Sequence, residues 1–355
     1  MHILDRYIWS HFLRSTFVVV LALVGLLSLV ILLDQLGEVD DNYGLSQALT
    51  YMIYKVPGLT YQLFPISMML GALISLGSLA SSSELVAIRT SGVSIIRIIS
   101  ALMVPVVSIS LVALLLAQFL VPFAEERAEQ LKASNQTKSS TQDFSVGKWV
   151  KQDNTFLHIA GAGGSGDLYG ITRYDFNAEK QLQALSFAKQ ARYEPVSKVW
   201  VLSSVQTTLI TENSTQAVVN ESVSWDLSLT PEFIQTVLYK VDNLSLTGLL
   251  KYSRFLAQQG LDTATFMLSF WSKLFQPLAA ISLVIIGAAF VFGPLRSVTV
   301  GQRTITGIVV GLLFKFSQEL IAPTSQIVGF PPVLAALIPI LISLMVGLWL
   351  LARVR

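Results

Sequence analysis

Residues 17–33 read FVVVLALVGLLSLVILL, an apolar run without a charge between Arg14 and Asp34. With its flanking turn it reaches the roughly 20 residues that a helix needs to cross about 30 Å of hydrocarbon. The run is too long for a secretory leader, and no small-x-small cleavage site follows it, so it reads as a retained span. Ahead of it, Ile3, Leu4, Tyr7, Ile8, His11 and Phe12 fall at helical spacing on one face, with Asp5 and Arg6 opposite. That pattern predicts a short interfacial helix feeding the first span.

Working outward, two further apolar stretches follow, then a long polar insert, then three more apolar stretches. The predicted spans are Phe17–Leu33, Val56–Ala80, Ile95–Val121, Phe270–Phe292, Thr304–Ile321 and Pro332–Leu351. The second holds Pro57 and Pro65, which a membrane helix tolerates when its neighbours satisfy the freed carbonyls. Its Gly71, Ser75, Ser78 and Ser82 form a stripe of small residues, as close helix packing in lipid requires, within this bundle rather than at a subunit interface. Pro105 predicts a kink in the third span. After that span, Ala124–Ala133 carries Glu125, Glu126, Arg127, Glu129 and Lys132 and should continue as a helix out of the membrane.

Composition agrees with a membrane protein. Hydrophobic residues make up 53% and charged residues 13%, against roughly 25% charged for a soluble domain. The net charge of +2 points away from nucleic acid. There is no cysteine, hence no disulfide framework and no thiolate metal site. His2, His11 and His158 are too few and too scattered for a metal cluster. Arginines 6, 14, 89, 97, 296, 303, 353 and 355 fall on one side of the six spans. Asp34, Glu38, Asp40 and Asp41 lie opposite, with Lys55 as the one cation of that loop. The positive-inside rule puts both termini in the cytoplasm and the insert outside.

The expected organisation is three-part. Residues 1–133 hold spans one to three, residues 134–247 an extracytoplasmic domain, and residues 248–355 a connecting helix and spans four to six. Within the insert, Phe144–Lys151, Thr155–Ala160, Leu168–Phe176, Leu182–Tyr193, Val199–Ile210 and Ala217–Leu227 read as strands, several alternating apolar and polar residues. Breaks fall at Gly161–Gly166, Asn177, Pro195–Lys198 and Asn213–Ser214. Short strands with no helices between them predict an antiparallel sandwich or jelly roll. Gly248–Gly260 reads as an amphipathic helix returning to the membrane.

No soluble-enzyme signature emerges. Gly161–Gly166 lacks the Lys-Ser/Thr of a phosphate loop, and there is no His-Glu-x-x-His and no nucleophile elbow. Sequons at Asn135, Asn213, Asn220 and Asn243 matter only in a eukaryotic secretory pathway. Two features remain. Ser81–Gly92, between spans two and three, predicts a short helix capped by Ser82 or Ser83, with Glu84 in its first turn, Leu85, Val86 and Ile88 on an apolar side, and Gly92 as its stop. Physics alone leaves it open as an interfacial anchor or a knob docking into a cytoplasmic partner. The second is Lys315 with Glu319 inside span five, at the i, i+4 spacing of an ion pair. By rise per residue Lys315 lies roughly 18 Å beyond Thr304, in the outer half of the bilayer. It reads as a self-neutralising pair or as a cation presented to an anionic ligand.

Six segments then carry a resemblance: LDRYI (Leu4–Ile8), DQL (Asp34–Leu36), SSELVAIRTSGVS (Ser82–Ser94), WSKLFQPL (Trp271–Leu278), FGPLRSVTVGQR (Phe292–Arg303) and FPP (Phe330–Pro332). In order and along essentially the whole chain they resemble the lipopolysaccharide-export permeases, the LptF/LptG family, and the Phe-Gly-Pro-Leu-Arg-Ser run points to its LptG branch. The resemblance implies a non-enzymatic permease subunit without cofactor, in the inner membrane of a Gram-negative bacterium. It implies a paralogous permease subunit, a cytoplasmic ATPase dimer and a single-span protein with a periplasmic jelly roll as partners, and extraction of lipopolysaccharide onto a periplasmic bridge. The family's coupling helix falls on Ser83, Glu84, Leu85, Ile88, Arg89 and Gly92, which favours docking. The family's lateral gates fall on the first and fifth spans.

The chain also departs from the pattern. Relatives carry lysines late in the first span and just after it, where this chain has Ile31 and Gly37-Glu38, and Gly58 follows Pro57 where a basic residue stands. Cations for lipid phosphates are then expected at Arg127, Lys132 and Lys315, the last with Glu319, or in the paralogue. A membrane-anchored scaffold or signal transducer with a partner-binding β-domain is the alternative. A self-sufficient secondary transporter is disfavoured by the lack of internal symmetry between the two triplets.

Overall fold

The computed structural model describes residues 3–37, 39, 43–136, 148–152, 154–162, 167–177, 179–195, 197, 199–211, 214–225, 241–258, 262–293 and 298–353. Residues 163–166 of the Gly-rich turn, the starts and ends of the outermost expected strands, and Pro294–Ser297 of the FGPLRS run lie outside them. So do Glu38, Asp40, Asp41, Asn213, Gly260, Arg296 and Arg355.

The first helix, α1, is continuous over Ile3–Leu36. The expected interfacial helix is therefore the first turns of the span itself. No breaker separates the two segments, and both have a partner in the bundle: Ile8 and Phe12 enter the apolar core, while the buried Asp5 meets Arg97. Helix α2 (Leu45–Ser81) is the axis of the bundle. In its apolar stretch 72% of residues are buried, against 22% in α1 and 17% in α9 (Val300–Val328). The small-residue stripe works inside this bundle at its inner half. A Cβ on Gly71 would come within 2.9 Å of the Thr16 backbone, so α1 and α2 touch nearly backbone to backbone. Gly71 and Ser75 are buried, whereas Ser78 and Ser82 are exposed.

A short helix, α3 (Glu84–Thr90), leads into α4 (Ile95–Leu115). A π-helical turn at Leu116–Leu120 joins α4 to α5 (Val121–Gln136). Turns of this type insert one extra residue and rotate the helix beyond them. Gln118 of the turn donates to the Thr247 hydroxyl at 2.8 Å, holding the return of the chain from the insert.

The insert contributes β1 (Lys148–Gln152), β2 (Thr155–Ala162), β3 (Leu168–Phe176), β4 (Leu182–Glu194), β5 (Val199–Thr211) and β6 (Ser214–Trp225). The described strands form one antiparallel sheet in sequential order, β1 to β6. The pairing ladder skips Ala160, Gly170, Lys189, Ser204 and Glu221, which lie in one row across five strands. At this crease the buried positions are spaced by three instead of two: Leu168 and Ile171, Ala188 and Ala191, Leu202 and Val205. The register is the same on both sides of the row, so the skipped residues stand opposite one another and the inward face changes phase by one residue on each strand. Gly170 and Ser204 take positive φ there (61° and 53°), the left-handed region in which glycine has no Cβ penalty. The inward face packs around Trp200, and Phe255 of α6 (Leu246–Gln258) packs against that core.

The expected fourth span is two helices, α7 (Ala264–Leu274) and α8 (Gln276–Phe292), bent by 52°. Pro277 sits in the first turn of α8, where its missing N–H and fixed φ suit a new start and prevent continuation of α7. Helices α9 and α10 (Pro332–Arg353) complete the bundle. Among the described residues, five helices are long and apolar enough to cross a membrane, and the bent α7–α8 pair makes a sixth.

Candidate functional sites: a short surface helix and a polar cavity

Helix α3 is short because both ends are stopped. Gly92 takes φ 93° and its N–H bonds the Arg89 carbonyl at 3.0 Å, closing the C-terminus as expected. The N-terminus differs from the expectation. Ser83 occupies the cap position with φ 63° and makes no side-chain cap bond. Ser82 instead donates to Oε1 of Glu84 at 2.9 Å. Leu85 is buried and Ile88 packs against the core, so the pair anchors α3. Val86, expected on the same side, is 46% exposed, and Arg89 shares that open face.

The N-terminal turns of α1 brace this helix. Tyr7 donates its hydroxyl to Oε2 of Glu84. Nη2 of Arg97 donates to both oxygens of Asp5 at 2.7 and 2.8 Å, and the Trp9 indole donates to the Ala101 carbonyl at 2.6 Å. The Tyr7 and Ser82 hydroxyls hold the Glu84 carboxyl below its ordinary range, because both bonds favour the ionised form. From the other side Arg303 of α9, buried, donates to the Gly77 carbonyl at 2.7 Å near the end of α2. A cation there complements the helix dipole.

A cavity of about 460 Å³ opens between α2, the start of α5, α7 and α9. Its wall carries Lys55, Glu125, Asn243, Lys273, Lys315 and Glu319 among apolar side chains. Lys55 bonds Glu125 at 2.6 Å and Glu129 at 3.2 Å, and Asn243 donates to Glu125 at 2.9 Å. Lys273 is buried and donates to the Leu244 carbonyl at 2.6 Å. Lys315 and Glu319 stand 3.6 Å apart on α9, with side chains 31% and 57% exposed. The reason for Gly58 lies here: a Cβ would be 2.6 Å from Oε1 of Glu125. The Glu125 carboxylate takes the space a side chain at 58 would need, and Lys55, one turn earlier, supplies its cation.

The profile of the family described as lipopolysaccharide export system permease LptF/LptG matches residues 6–353. The chain belongs to this family. It is 33% identical over 354 residues to the lipopolysaccharide export system permease protein LptG of Escherichia coli K12, covering 99% of this chain and 98% of that protein. The protein of the same description from Haemophilus influenzae is 33% identical over 353 residues, with 99% of each chain covered. An LptF/LptG permease is a transporter component rather than an enzyme, and the helices described above make it a multi-pass membrane protein.

Two segments that carry the family resemblance meet in space, LDRYI and SSELVAIRTSGVS, and others bond residues outside the quoted runs. Asp5 and Tyr7 of LDRYI reach Arg97 and Glu84, and Lys273 and Gln276 of WSKLFQPL face the cavity, where Gln276 donates to the Tyr61 carbonyl at 3.0 Å. Gln35 of DQL accepts from the Tyr43 hydroxyl at 2.9 Å. Of the residues expected to meet a lipid, Lys315 and Glu319 line the cavity. Arg127 does not: it stands exposed on α5, 5.4 Å from the Phe123 ring centroid. That face of α5 turns away because Glu125, two residues earlier, faces Lys55. The side chain of Lys132 lies outside the described residues. Sequence reading missed Lys55, Asn243 and Lys273 as cavity residues. A signal existed for Lys55, as the one cation in an acidic loop, and for Lys273, inside a family segment.

Proposed function

We propose that this chain is the permease subunit of an ABC transporter that takes lipopolysaccharide from the outer leaflet of the inner membrane and passes it to a periplasmic bridge. The reading rests on the family match over residues 6–353 and on relatives that carry this name at one-third identity over nearly their whole length. Both termini face the cytoplasm and the β-domain the periplasm, as the arginine distribution requires. A paralogous permease completes the lipid chamber, and a separate ATPase dimer docks on α3 through Glu84, Arg89 and the exposed Val86. A single-span protein with its own jelly roll receives the lipid from the β-domain side.

Within this reading Lys315 meets an anionic headgroup of the lipid, and Lys55 and Lys273 extend the cationic wall of the same cavity. Their amines already have protein partners, so they tune the field of the cavity more than they bind directly. Arg127 and Lys132 are left for contacts outside it.

The test is purification from the native membrane in mild detergent, with the bound proteins and lipid identified. Recovery of an ATPase, a second permease and a phosphorylated glycolipid supports the assignment, and recovery of the chain alone with bulk phospholipid refutes it. Glu84→Ala should leave the fold intact and uncouple hydrolysis from transport in reconstituted vesicles. Normal transport by that variant removes the docking role of Glu84.

A further inference from the structure

Glu84 is not a free carboxylate waiting for a partner. Oε2 accepts from Tyr7 on α1 and Oε1 accepts from Ser82 at 2.9 Å. A carboxylate has about four acceptor sites, so capacity remains for an Arg or Lys from outside. The two internal bonds decide which way that capacity points. Ser82 belongs to the same turn as Glu84 and can do no more than fix a local rotamer. Tyr7 is different, because it belongs to a helix 77 residues away in sequence.

The helix on which Tyr7 sits is among the least covered of the bundle. Beyond Thr16 its exposed side chains include Phe17, Leu21, Leu29 and Leu33, at 58–69%. Only 22% of its apolar stretch is buried: α1 is held along one face, where Thr16 meets Gly71 of α2 and Val19 enters the core, and its opposite face is open to lipid or a partner subunit. Its cytoplasmic end, by contrast, is clasped by Asp5–Arg97, Tyr7–Glu84 and Trp9–Ala101. Two of these clasps go to α4. The third goes to α3, whose own hold on the bundle is Leu85 and Ile88.

We propose that Tyr7 is a positioning residue for Glu84, and that its phenol–carboxylate bond is the link by which a load on α3 moves α1. This deepens the docking role of α3 proposed above. The phenol orients the carboxylate toward the cytoplasmic partner. When the partner pulls on Glu84, the bond passes the displacement to the N-terminal end of α1 and levers the lightly covered remainder of that helix.

The experiment uses the full transporter, co-purified with its ATPase and second permease and reconstituted into vesicles containing lipopolysaccharide. Tyr7→Phe removes one hydroxyl and keeps the ring, which packs 4.6 Å from the His11 ring. Lipid released per ATP hydrolysed is measured for wild type, Tyr7→Phe, Glu84→Gln and the double variant. The expected result is normal assembly of Tyr7→Phe with a fall in lipid released per ATP on the order of tenfold, the scale of a lost hydrogen bond to a charged group. The double variant should be no worse than Glu84→Gln, because both changes break one link. A second measurement tracks motion directly. Spin labels at Phe17→Cys and Met345→Cys, in a chain with no cysteine of its own, should report a nucleotide-dependent distance change that Tyr7→Phe abolishes. Undiminished transport and an undiminished distance change in Tyr7→Phe, with Glu84→Gln impaired, overturn the role of Tyr7 and leave the docking helix standing. Losses that add independently in the double variant also overturn it. A Glu84→Gln variant with normal transport overturns both.

Discussion

Nζ of Lys55 lies 2.6 Å from Oε2 of Glu125, joining α2 to α5 across the mouth of the cavity. The side chains are 16% and 9% exposed, so neither charge is well hydrated. Removing one partner of a buried pair costs about 3–5 kcal/mol, because the other is stranded. Lys55→Met should lower the thermal midpoint of the purified protein, and Lys55→Met/Glu125→Met should recover most of the loss. Gly58→Ala should act on the same bond by forcing the Glu125 carboxylate aside, at about 1–3 kcal/mol for an overpacked site. Calorimetry in detergent measures each.

Lys315 and Glu319 can be told apart as a structural pair and a ligand site. At 3.6 Å and i, i+4 spacing the two side chains can neutralise each other on one face of α9, which is the structural account. The expected outcome is that Lys315→Ala/Glu319→Ala stays assembled and loses lipid extraction in vesicles. Rescue of transport by the double variant, relative to Lys315→Ala, would assign the pair a purely structural role.

Gly71→Val should separate α1 from α2. The added Cβ alone would press on the backbone of Thr16, which cannot move as a side chain tip can. A loss of at least about 1–3 kcal/mol is expected, since the contact is overpacked at its first carbon. Limited proteolysis of membranes should find the N-terminal segment newly accessible, while the β-domain keeps its native cleavage pattern.

Helix α3 should keep its shape under acid. Glu84 has a lowered pKa when folded, so its hydrogen bonds favour the native state above the ordinary value of 4.5 and are lost as pH falls through the lower, folded value. ATPase attachment to the permease should therefore persist at pH near 4.5 so far as Glu84 governs it, and weaken only below. In Tyr7→Phe the weakening should begin at higher pH. Pull-down of the permease as a function of pH reads the difference.

Much of the architecture is legible because it depends on local pattern. Span length and the turn residues that bound the strands are properties of neighbouring residues, and the observed β3 agrees end for end with the expected Leu168–Phe176. The bend between α7 and α8 was legible in principle from Pro277, yet the apolar pattern around it reads as one helix. The crease through Gly170 and Ser204 was not legible. It needs five strands in register before its row exists.

The sequence by itself determined that this is a six-span membrane protein with an inserted β-domain, that α3 ends at Gly92, and which family it resembles. Hydrophobic length and turn chemistry act over a few residues, and the resemblance rests on short motifs read in order. Tertiary structure alone decided what meets what. Tyr7 and Glu84 are 77 residues apart, Gln118 and Thr247 are 129 apart, and Arg303 and Gly77 are 226 apart. Such pairs form when helices pack, and packing depends on the shape of every facing side chain, down to the missing Cβ of Gly71 and Gly58. For that reason Arg127, a cation of the right type on the right helix, faces away from the cavity, while Lys55 faces into it.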